Sequence, residues 1–144
     1  MMVRLPSMQV RKISTLPVAP SRAKVYLQRA REIHELAQEA LTRELWNGLA
    51  LLSLELVVVL ADALLVRERG FRPRSPDPRE LPELLTREVP YLPDLEEAIA
   101  HARRVMLRTG VLDHEPRPVG RAEACKLQQH AVAFRTWALG LLEG

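Results

Sequence analysis

The stretch from Leu49 to Ala61 constrains this chain more than any other. Thirteen residues run with only Ser53 and Glu55 breaking an otherwise apolar surface, and the pattern extends as a helix to about Arg69. A helix that is greasy on nearly all sides cannot lie on a surface; it must be wrapped by neighbours. The uninterrupted run is shorter than the ~20 residues that a bilayer core demands, so we read it as the central helix of a folded core. Its acids before Glu68 are Glu55 and Asp62, seven apart and therefore on one face. Gly70 follows as the C′ residue, with Arg67 and Arg69 in the last turn, where cations favour the helix dipole.

The flanking segments supply the wrapping. From about Arg22 to Leu41, apolar residues recur at Ala23, Tyr26, Leu27, Ala30, Ile33, Ala37, Ala40 and Leu41, with Ser21 placed as the N-cap. A break is expected at Trp46-Asn47-Gly48. Residues 71–80, FRPRSPDPRE, read as a basic proline-rich loop, and a short helix is expected over about Glu80–Arg87. Beyond Pro90 and Pro93, Asp94 is placed to cap a helix over about Leu95–Arg108, with a stripe of Leu95, Ala98, Ile99, Ala102, Val105 and Met106. Gly110 closes it, and residues 111–120 form a second loop. The last helix runs from about Arg121 to Leu142 on a narrow seam of Ala124, Leu127, Ala131, Phe134, Ala138 and Leu141. No strand and no internal repeat are expected. The fold class is all-α, an antiparallel up-and-down four-helix bundle (residues 21–144) preceded by an extended basic arm (residues 1–20).

Composition narrows the function. Five of the 21 basic residues lie within residues 1–24, where there is no acid, so the remainder, 16 basic against 18 acidic residues, is slightly acidic. A general nucleic-acid surface does not fit that balance. Cys125 is the one cysteine, which rules out an internal disulfide and suits a reducing cytoplasm. No secretory h-region is visible among Pro6, Pro17 and Pro20. There is no glycine-rich phosphate loop or nucleophile elbow. The dispersed histidines make no zinc site, and no metal or other cofactor is expected. His101 and His130 read as surface residues.

One spacing carries chemistry. Arg108 and His114 lie six positions apart across a helix end and the loop after it. Metal-free RNA cleavage needs such a pair: histidine exchanges a proton with the 2′-hydroxyl or the leaving oxygen, and arginine stabilises charge developing on phosphorus. Arg29 and His34 form a similar pair, but inside one helix they project about 140° apart. For the RNA backbone, the candidate contacts are Arg72, Arg74, Arg79 and Arg117.

Three stretches, STLPVAPSRAKVYLQRAREIHELAQEAL, WNGLALLSLELVVVLADALL and VLDHEPRPVGRAEACKLQQHAVAFRTWA, resemble the HEPN superfamily of helical proteins. The ADALL and EPRPVGRAEA segments carry most of the resemblance, which spans most of residues 14–142. It implies an up-and-down four-helix bundle that dimerises. It also implies one of three roles: a metal-independent ribonuclease toxin, an inactive partner of a nucleotidyltransferase, or a nucleotide-binding module. In such ribonucleases an Arg-x(4–6)-His pair maps onto Arg108 and His114. Active members often place Asn or Asp after the arginine, where this chain has Thr109, and many relatives have Tyr at the position of His114. The expectation is therefore an interaction or regulatory module that forms a homodimer and binds a partner protein (a nucleotidyltransferase or an antitoxin), a nucleotide or RNA. The endoribonuclease is the alternative, and no membrane association is expected.

Overall fold

The computed structural model describes residues 13–74, 77–107 and 117–144. The expected cap at Gly110 and the pair Arg108 and His114 lie outside the described residues. Within them the protein is mostly helical: α1 (Ala23–Thr42), α2 (Trp46–Arg69), α3 (Leu81–Glu88), α4 (Leu95–Leu107) and α5 (Arg121–Leu142). The all-α class holds.

α2 is the hub. Fourteen of its 24 residues are buried, so solvent sees only a narrow edge that includes Leu51 and Glu55. Because the helix continues to Arg69, its length and apolarity would suffice to cross a membrane, contrary to the expectation from the shorter run. Its burial against α1 and α5 accounts for that apolarity here. The stop comes where expected: Gly70 adopts φ 72° and its N–H bonds Val66 O at 3.0 Å. Only glycine takes this left-handed cap without steric cost.

Side-chain bonds set the helix directions. Asn47 Oδ1 accepts from Val119 N–H at 3.0 Å, just before α5 begins, and the Arg67 guanidinium donates to Leu141 O. α2 and α5 therefore run the same way. Gln38 bonds Gln128 at 2.9 Å and Arg31 pairs with Glu143 at 2.7 Å, so α1 runs against α5. Trp137 Nε1 donates to Pro93 O at 2.7 Å, so α4 also runs against α5. Every residue of the expected α4 stripe is buried, as are Ala124, Leu127, Ala131, Phe134 and Ala138 of α5. The small residues of that seam let α5 approach α2 closely.

The structure departs from the sequence reading at element ends. Thr15–Pro17 (β1) pairs antiparallel with Phe71–Pro73 (β2), so residues expected as free arm and open loop form a two-stranded ribbon. Val18 N–Gly70 O and Arg74 N–Ser14 O bonds, each 2.9 Å, extend it. Ser21 caps no helix: it sits in a 3₁₀ turn, Pro20–Arg22, that leads into α1 without a side-chain cap. The α1–α2 break falls at residues 43–45, ahead of Trp46, with Glu44 at φ 57°. A second 3₁₀ turn, Pro78–Glu80, is capped by Asp77, whose side chain accepts from Arg79 N–H.

Candidate functional site

The molecule has two chemically distinct ends. At the ribbon end lie the start of α1, the end of α2, β1 and β2. At the turn end lie the α1–α2 break, the end of α4 and the start of α5. The 24-residue α2 separates them by about 36 Å.

The four arginines expected to hold RNA do not share a surface. Arg72 belongs to the ribbon end, where its guanidinium bonds Pro73 O at 3.0 Å. Arg74 is exposed and its backbone N–H extends the ribbon. Arg79 is turned onto Asp77, with Nε and Nη2 at 3.1 and 3.2 Å from its carboxylate. Arg117 stands at the turn end, 3.6 Å from Glu123. The chain order of these residues hid the separation, because a loop after α2 and a loop before α5 meet opposite ends of the molecule.

At the turn end a cleft of about 710 Å³ opens between α4 and α5. Arg104, Arg117, Lys126, Gln129 and His130 line it, with Glu123 the acid among them. Arg104 precedes Arg108 by four residues and Arg117 follows His114 by three, so the stretches on both sides of the Arg108–His114 segment contribute to this cleft. Whether that pair converges on it lies outside the described residues.

His130 was missed as a site residue. It and His101 were expected on the surface, but α4 and α5 bring them together, half-buried, with Nδ1 atoms 3.0 Å apart and ring centroids at 5.2 Å. At that distance one imidazole nitrogen donates and the other accepts, the roles set by the tautomers of the two rings. Twenty-nine residues separate them, and their meeting depends on the register of α4 against α5, which no local motif announces. The other spacing, Arg29 and His34, diverges as expected. Burial, reinforced by the Arg135 charge of α5, lowers the His34 pKa, whereas Arg29 lines a pocket at the ribbon end.

That end holds the second site. Arg22 on the 3₁₀ turn, Val25, Tyr26 and Arg29 on the first turns of α1, Asp62 on α2 and Arg72 on β2 enclose a pocket of about 270 Å³. Asp62 is 9% exposed and its Oδ1 has no hydrogen-bond partner. Burial pushes its carboxyl up to about 6; the Arg72 and Arg29 charges oppose that rise and Glu55 adds to it. Glu55 and Asp62 do share one face, as their spacing required, but only Asp62 is covered.

Among the described residues no three His, Cys, Asp or Glu side chains gather as metal ligands. Comparisons with family models, with curated proteins and with solved structures gave no match.

Proposed function

We propose that this chain is a HEPN-like helical interaction or regulatory module that binds a nucleotide or RNA in the α4–α5 cleft. The reading includes an antiparallel up-and-down four-helix bundle with an extended N-terminal arm, a homodimer, and a cytoplasmic setting. A nucleotidyltransferase or an antitoxin is the protein partner it allows. The observation that carries it is the convergence of Arg104, Arg117, Lys126 and His130 on one cleft in a body that is otherwise slightly acidic. The volume falls within the ~300–1,000 Å³ of small-molecule sites, and cations focused in a cleft attract phosphates far better than cations spread over a face. Leu36 of α1 and Leu51 of α2, 54% and 49% exposed, are the apolar surface that supports association.

A second reading, the metal-independent endoribonuclease, gains from the presence of His130 in the same cleft. Histidine beside arginine is the pairing that such chemistry uses.

One experiment separates them. Labelled ATP and a single-stranded RNA are titrated onto wild-type protein, Arg104→Glu and Lys126→Glu, and RNA integrity is followed in excess chelator. The module reading expects saturable binding, weakened about tenfold or more by either reversal, with RNA intact. Cleavage that His114→Ala abolishes would replace it with the ribonuclease. Absence of both binding and cleavage would remove the cleft from consideration.

A further inference from the structure

The arginine-lined pocket at the ribbon end is independent of the α4–α5 cleft, and nothing in that reading uses it. We propose that it binds a tetrahedral oxyanion, the phosphoryl group of phosphate or of a phosphomonoester.

Three guanidiniums, from Arg22, Arg29 and Arg72, line the pocket with one carboxyl. Even with Asp62 ionised, two positive charges remain uncompensated among its lining groups. A phosphoryl dianion matches that excess, and planar guanidinium forks are the side chains best shaped for its oxygens. Arg22 and Arg29 are exposed and Arg72 already spends one N–H on Pro73 O, so the three arrive from three different elements with donors to spare.

The buried acid makes this a built site rather than a basic patch. An Asp at 9% exposure with an unpartnered Oδ1 is expensive to maintain for stability alone, and it lines this same pocket. Bound to a dianion, its carboxyl takes up a proton and donates it in a hydrogen bond to a phosphoryl oxygen. That satisfies both the acid and the ligand, and the proton comes from solvent. Arg29, Arg72 and Glu55 are the charges that act on Asp62, with Arg22, Val25 and Tyr26 completing the lining. The small volume, about 270 Å³, suits a phosphoryl group with its attachment directed outward better than an enclosed nucleotide, since ~300 Å³ is the lower end for whole small-molecule ligands.

The probe is orthophosphate, titrated by calorimetry at about pH 7.5 into wild type, Arg29→Gln, Arg72→Gln, Asp62→Asn and Lys126→Glu. AMP, adenosine and sulfate are titrated into wild type alongside. Wild type is expected to bind orthophosphate saturably. Each Arg→Gln variant should lose about tenfold or more in affinity, the effect of removing one charge-assisted bond. Asp62→Asn, nearly isosteric and carrying an N–H donor, should bind at least as tightly as wild type, and Lys126→Glu should bind unchanged. AMP binding with adenosine silent identifies the phosphoryl end of a larger molecule as the ligand; orthophosphate binding with AMP excluded identifies free phosphate. Sulfate, a tetrahedral dianion that accepts the same bonds, should bind comparably, and the proposal is overturned if the Arg→Gln variants bind like wild type or if no saturable binding is seen. Circular dichroism of each variant confirms that it is folded. A loss caused by Lys126→Glu alone would move the binding to the other cleft and overturn this site while sparing that one.

Discussion

Asp62→Asn tests the electrostatics of α2 directly. A carboxyl that titrates near 3.8 in an open chain and at about 6 in the fold is held protonated by folding, so the native state binds more protons than the unfolded state between those values. Stability therefore falls as pH rises through that window, and the whole cost is present above the folded value. At 1.36 kcal/mol per pH unit, the cost of ionised Asp62 at neutral pH is about 3 kcal/mol. At pH 4 most of it is absent, with about 0.5 kcal/mol remaining by the same two-state proton linkage. Asparagine removes the charge at both pH values. It also brings an amide whose satisfaction in the pocket shifts stability by a fixed amount, independent of pH. The difference between the two pH values isolates the charge: relative to wild type, Asp62→Asn should gain about 2.5 kcal/mol more at pH 7.5 than at pH 4. Urea denaturation of both proteins at both pH values, in buffers free of oxyanions, measures it. A stability difference that does not change with pH would refute the reasoning, because Asp62 would then titrate alike in both states.

Three further outcomes are expected. Phe134→Ala removes a side chain with no exposed surface, tilted against Trp137 at 5.4 Å between ring centroids; it should cost about 3–5 kcal/mol and lower the melting midpoint by about 10 °C or more in a thermal melt. Gly70→Ala meets only ordinary contacts, the nearest atom being Val18 O at 3.7 Å. Its cost, about 1 kcal/mol by denaturant titration, comes from the left-handed backbone alone. Asn47→Ala frees the Val119 N–H and should cost about 1 kcal/mol, with faster hydrogen exchange at Val119 as the local readout.

How far each feature could be read depends on the distance over which it is determined. The α5 seam was legible because burial repeats every three to four residues within the segment itself, and five of its six named positions are buried. The end of α2 was legible because Gly70 acts through its own φ. Ser21 misled: Pro20 initiates a 3₁₀ turn that consumes the capping position, a choice between two local hydrogen-bond patterns that composition does not arbitrate. The ribbon was invisible because its strands are three residues each and gain stability only from one another across more than fifty residues.

Helix identity and the buried stripes were thus settled by the chain alone, since backbone hydrogen bonds and side-chain spacing in a helix reach only four residues. The sites were decided by tertiary structure. Arg22, Arg29, Asp62 and Arg72 become one pocket only when α1 lies against α2 and the ribbon closes over their ends. His101 meets His130 only at one register of α4 on α5. Charge at a distance along the chain acquires chemistry when packing removes the water between its members, and that packing is a property of the whole fold.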